Sequence, residues 1–156
     1  MEVTEKTNAS GHKVYELSGI IDETVDFTTL NGAESLNTFR VDLYGIKRIN
    51  SVGIKKWMIW FDGLAKKKVR FYFDRVSPAV VEQMGNISNF RNGGEVTSVV
   101  LPFQCRACKN PSSFVKTKDE LSGVDLEKTG WSCTHCGKAE LEFDDLADEY
   151  LSFWGI

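Results

Sequence analysis

Four cysteines carry the clearest chemistry in this 156-residue chain. Cys105 and Cys108 form one C-x2-C pair, Cys133 and Cys136 a second, with residues 109–132 between them. Each pair places two thiolates on a tight turn at a zinc-binding distance. Two such turns complete a tetrahedral shell, and the interval is close to the usual spacing of about fifteen to twenty residues. Gly137 follows the second pair, where a positive φ lets backbone amides turn towards the sulfurs. After the first pair stand Lys109 and Asn110, and Asn is the next most permissive residue. Four thiolates leave no open position, so the expectation is a structural Zn2+ rather than a catalytic one, with His135 an exposed loop residue rather than a ligand. Two disulfides are the competing use, but in a reducing cytosol paired cysteines at this spacing more often hold a metal. A thioredoxin-like redox pair needs one C-x2-C opening a helix after a strand, whereas both pairs here lie among turn-forming residues.

Charge decides what such a module can meet. Residues 139–156 contain Glu140, Glu142, Asp144, Asp145, Asp148 and Glu149 and no Lys or Arg. A zinc held by four thiolates is itself formally dianionic, so phosphates are repelled and no nucleic-acid partner is expected. The formal net charge is -3; residues 1–102 carry 13 Lys/Arg against 12 Asp/Glu, and residues 103–156 carry 6 against 10, so the acidity lies in the second part. The one dense basic run, Lys66, Lys67, Lys68 and Arg70, falls at the end of a predicted helix, where cations offset the dipole. The longest apolar stretch, residues 57–61, is far short of the roughly twenty residues a membrane helix needs. The opening MEVTEKTNASGHK has neither the basic cluster nor the apolar core of a secretory signal. A soluble, cytoplasmic protein is the expectation, with no membrane partner.

The elements that must position these residues follow from periodicity. Because the cysteines occupy only the last third, the chain divides near residue 102. Alternating apolar and polar residues predict strands over 13–21, 39–43, 69–73 and 96–101. Between the second and third, Ile54, Trp57, Met58, Phe61, Leu64 and Ala65 recur at helical spacing, predicting a helix over 51–66 with Ser51 as its N-cap. Weaker helical patterns cover 24–36 and 78–84, the latter with Ser77 as cap and Pro78 at the first helical position. Alternating strands and helices call for a parallel or mixed sheet. Residues 144–154 place Leu146, Tyr150, Leu151, Phe153 and Trp154 at helical intervals, predicting a short terminal helix that docks back and buries Trp154.

The stretch ELSGIIDETVDFTTL, through Gly19 and Asp22, resembles the G-x-x-D turn of STAS domains, the sulfate-transporter and anti-sigma-factor-antagonist fold. VDLYGIKRINSVGIKKW resembles that family's strand, loop and D-S-[ST]-G helix start, and VSPAVVEQM its third helix. The resemblance covers about residues 10–101. It implies an α/β fold, a mixed sheet with helices on one side, acting as a binding module and not an enzyme. It also implies a serine at the helix start that a partner kinase, itself an anti-sigma factor, can phosphorylate to switch binding off. Ser51 holds that position and Gly53 matches the glycine; Asn50 stands where the family has Asp, and Val52 where it has a small hydroxyl residue. The organisation expected is a STAS-like domain over 1–101, a zinc ribbon over 102–143 and a docking helix over 144–156.

The helix offers a second face. Val52 and Ile59 lie opposite the main apolar stripe and Trp60 at its margin, beside Lys55, Lys56 and Lys66. Left exposed, they form an apolar and cationic surface for an acidic protein partner; alternatively the C-terminal part of the chain covers them. The primary expectation is a bacterial signalling module that binds a protein through Asn50, Val52, Gly53, Lys55, Lys56, Ile59 and Trp60, with Ser51 the candidate for regulatory phosphorylation. The alternative is a zinc-ribbon adaptor for nucleic acid or a transcription complex. With only His12 and His135 as imidazoles and no Ser/His/Asp set or phosphate-cradling Gly loop, an enzyme ranks third.

Overall fold

The computed structural model of the protein describes residues 1–156. The first sheet contains β1 (Glu2–Thr7), β2 (Lys13–Ile21), β3 (Thr38–Ile49), β4 (Arg70–Asp74) and β5 (Glu95–Val96), side by side in that order. β1 runs antiparallel to β2, and every later pair is parallel, so the sheet is mixed. Two helices accompany it, α1 (Ser51–Lys66) and α2 (Pro78–Asn86). A second, antiparallel sheet has β6 (Ser98–Cys105) between β7 (Pro111–Thr117) and β8 (Leu141–Phe143).

The apolar alternation of the strands and the stripe of α1 meet in one core. In register, Phe39 lies beside Phe71 and Val41 beside Phe73. Trp57 of α1 stacks on Phe73 at 5.4 Å and on Phe90 at 5.0 Å, and its indole N–H donates to the Phe90 carbonyl at 3.0 Å. That bond satisfies the one polar atom of a fully buried side chain. On the opposite face of the same strands, ion pairs take the place of a covering helix. Arg40 donates twice to Asp74, both at 2.7 Å, and Arg75 donates to the buried Asp42 at 2.8 Å. Parallel strands are usually covered on both sides, and here bidentate charge-assisted bonds make the open face self-satisfied.

β6 joins the two sheets. Near its start Val99 bridges Val76, with Val76 N–H donating to Ser98 O at 3.0 Å and Val100 N–H to Val76 O at 2.9 Å. Its other end delivers Cys105. Residue 102, expected as a boundary, therefore sits inside a continuous strand, and one apolar cluster takes in Val41 and Trp57 together with Leu101, Phe103, Leu121, Leu126, Tyr150 and Leu151.

Several expectations need correction. The helix expected over 24–36 is two 3-10 turns, Phe27–Thr29 and Ala33–Ser35. Asp22 and Asp26 accept hydrogen bonds from the amides and hydroxyls of Thr24 and Thr28, a local bonding that competes with a helix. The strand expected over 96–101 breaks at Thr97 and is shared between the two sheets. The terminal helix is absent as such: one turn closes from Tyr150 N–H to Leu146 O at 2.9 Å, and a 3-10 turn, Ser152–Trp154, follows. This segment does dock, through Tyr150 and Leu151, which are buried, while Trp154 is only half-buried. Tyr150 donates its hydroxyl to Val100 O at 2.6 Å and sets its ring edge-on to Phe143. No helix is long and apolar enough to cross a membrane.

Candidate metal centre and helix entrance

The fold brings all four cysteines together. Their sulfurs lie within 4.8 Å of one another, Cys105 to Cys136 at 3.7 Å and Cys108 to Cys133 at 3.6 Å. Disulfide sulfurs stand about 2.05 Å apart, so these are four free thiols around a common point, where they could hold a metal ion.

Two matching turns build the cluster. In the first, Lys109 N–H donates to Cys105 O at 3.0 Å and Cys105 N–H to Asn110 O at 3.1 Å. In the second, Gly137 N–H donates to Cys133 O at 3.0 Å and Cys133 N–H to Lys138 O at 2.9 Å. The residue after each second cysteine takes a positive φ, 65° at Lys109 and 76° at Gly137. Lys109, not the more permissive Asn110, thus bears the left-handed conformation. The amide after it then faces the second sulfur of its own pair: Asn110 N–H to Cys108, Lys138 N–H to Cys136.

These donors separate the thiols in acidity. Cys133 is brought down to about 5, first by the Cys136 amide, with the Ser112 hydroxyl and the His135 amide adding to it. The Asn110 amide lowers Cys108. Cys136 also receives an amide bond, from Lys138, yet desolvation and the three neighbouring sulfurs push it up to about 11. Four thiolates crowded together repel one another, and a cation at their centre removes that repulsion. Ser112 is a partner that the sequence reading missed. It is buried, with its hydroxyl 3.6 Å from Cys133 Sγ and 3.2 Å from the Thr134 amide that donates to it. A serine in an alternating strand gives no signal of that role. His135 is exposed, as expected of a loop residue.

The start of α1 forms a separate site. Asn50, not Ser51, is the N-cap: its side-chain oxygen accepts from Gly53 N–H at 2.8 Å. Asn50 is fixed there because its own N–H donates to Ile21 O at 3.1 Å and its amide group to Glu23 at 2.9 Å. Ser51 becomes the first helical residue and is exposed. Gly53 is buried and does not belong to a partner surface. A Cβ there would overlap the Ile21 carbonyl oxygen and lie 2.6 Å from its carbon, so the glycine serves the close approach of helix to strand end. Lys56 is likewise committed, its ammonium donating to Glu23 O at 2.5 Å and Val25 O at 3.2 Å.

Val52, Lys55 and Ile59 remain exposed on one side of the helix, and the C-terminal segment does not cover them. Trp60 is half-buried, stacked on Phe27. Beside the entrance a cleft of about 400 Å³ is lined by Lys47, Arg48, Asn50, Asp22 and Glu82 among others. No protein-family model, curated protein or solved structure matches this chain.

Proposed function

We propose that this chain is a STAS-like, non-enzymatic module of bacterial signalling, acting in the cytoplasm through protein contacts at the α1 entrance and braced by a structural zinc ion. The observation that carries the proposal is the uncovered row Val52, Lys55 and Ile59, apolar and cationic together, on a helix whose other face packs on the core. An acidic protein surface, such as that of an anti-sigma factor or kinase, is the complement. Zinc suits the cysteine cluster because a tetrahedron of about 2.3 Å Zn–S bonds has edges of about 3.8 Å, close to the 3.6 and 3.7 Å between the nearest sulfurs.

Ser51 is the regulatory residue of this reading. Asn50 already caps the helix, so the Ser51 hydroxyl is free to take a phosphate without loss of a cap. A phosphate there would place about two negative charges beside Lys55 and turn a cationic face anionic, repelling an acidic partner. The test is capture of the partner kinase or anti-sigma factor by wild type and by Ser51→Asp, with Ile59→Glu as the face-blocking control. Both variants should recover at least about tenfold less. Equal recovery by Ser51→Asp removes the switch, and equal recovery by Ile59→Glu removes the surface. The adaptor alternative draws less support, because Glu140 and Glu142 stand beside the cysteine turns and engage Arg106 at 3.3 and 3.7 Å, leaving only Lys109 and Lys138 there unpaired.

A further inference from the structure

The two large apolar side chains that stand furthest into solvent are Leu146, 65% exposed, and Ile59, 64% exposed. Their surroundings carry opposite charge. Ile59 borders a groove of about 350 Å³ along α1 with Trp60 and Gly63, where Lys67 and one acid, Glu34, also contribute. Lys55 and Lys67 are exposed and in no ion pair, whereas Lys66 is paired with Asp62. Leu146 borders a cleft of about 490 Å³ between α2 and the C-terminal turn, with Glu82, Asp145 and Glu149 around it. Those three, and the neighbouring Asp144 and Asp148, are likewise in no ion pair.

We propose that these surfaces pair between two copies of this chain: Leu146 of one molecule packs against Ile59 and Trp60 of the next, while Asp145, Asp148 and Glu149 meet Lys55 and Lys67. The inference rests on reading the outer face of α1 as a docking surface and names a second copy's acidic segment as its occupant. Charge also sets the orientation. Helix against helix would face lysines with lysines, and tail against tail would face acids with acids, so head-to-tail contact is the one arrangement without like-charge opposition. Where two copies bind reciprocally, tail to helix on both sides, association closes as a two-fold dimer; where they do not, each copy keeps one free face of each kind and association continues into a ring or a chain.

Sedimentation velocity of the full chain tests this, at about 20 mM and about 0.5 M salt, where screening shortens from tens of ångströms to a few. Wild type should form concentration-dependent oligomers at low salt that dissociate at high salt. Ile59→Glu and Leu146→Lys should each weaken self-association at least about tenfold. Mixed in equal amounts, the two variants retain one intact face each and should stop at a 1:1 dimer. Both positions are exposed, and melting curves matching wild type verify folding; the charge reversals Lys67→Glu and Asp145→Lys, alone and mixed, repeat the test without altering an apolar residue. A wild type that stays monomeric at low salt, or variants that associate as wild type does, overturns the second copy as occupant. The capture experiment with Ile59→Glu tests the docking face separately, so the two failures are distinguishable.

Discussion

The α/β body and the cysteine turns reach order by different means. Around Trp57, Phe61 and Phe73 the chain buries large aromatic rings against one another and needs nothing from outside. Around the four sulfurs, Arg106, Lys109, Thr134 and His135 are exposed, and order comes from amides converging on thiols. A body held by apolar burial tolerates loss of a ligand; a turn that relied on a cation would not. Small segments that cannot bury enough surface use metal for what a core supplies elsewhere.

Metal removal should separate the two regions most sharply. Structural zinc contributes about 10–16 kcal/mol in small isolated modules, so a strong chelator should expose the two cysteine turns, residues 105–110 and 133–138, to rapid hydrogen exchange while β2, β3, β4 and α1 stay protected. Native mass spectrometry should first record one zinc per chain. Uniform loss of protection along the whole chain, or a chain without zinc, would break the comparison. The reverse perturbation is Trp57→Ala, which empties the centre of the body. It should cost about 3–5 kcal/mol in chemical denaturation while the folded fraction still binds one metal ion. A cost below about 1 kcal/mol would mean that the body does not depend on that packing.

Gly53→Ala acts where helix meets strand and should cost about 1–3 kcal/mol, since the new methyl strikes the Ile21 backbone, which cannot move as a side chain can. A neutral result would show that α1 can slide away from β2. The smallest effect is at Tyr150, which links the regions through Val100 O. Burial, reinforced by Asp145, raises its phenol well above the usual range, so the folded chain keeps a proton that the unfolded chain releases near pH about 10. Stability is therefore full below that pH and falls as pH rises beyond it. Tyr150→Phe should cost about 1 kcal/mol near neutrality and flatten part of the alkaline decline, with Tyr15, also raised by burial, among the groups that keep the remainder. Melting curves across that range read both; an unchanged alkaline slope would count against the assignment.

What was legible in the sequence tracks how each segment is ordered. β2 and α1 were readable to the residue because a half-buried strand and a one-sided helix write their burial into their periodicity. β1 was not, because it is an edge strand with only Val3 partly covered, and its pairing comes from β2 rather than from an apolar pattern. The terminal segment had the spacing of a helix, but a helix this short is marginal alone, and Tyr150, pinned to Val100 and Phe143, fixes the path instead. The four cysteines that could hold a metal ion were readable from spacing alone. Their supporting donors were not: Ser112 reaches Cys133 through the fold, and Lys109 adopts a conformation that composition would have given to Asn110. At the helix start two adjacent residues could both cap, and the Ile21 carbonyl and Glu23 decided for Asn50.

The run from Val99 to Cys105 has a practical corollary for anyone cutting the gene. Because the same strand that hydrogen-bonds Val76 also ends in Cys105 of the thiol cluster, no scissor point between the halves leaves both intact. A fragment stopping at residue 101 forfeits Phe103 and the tyrosine clamp on Val100, so it should emerge sticky and prone to precipitate, whereas a graft of the cysteine turns onto another host must carry its own replacement for that shared backbone.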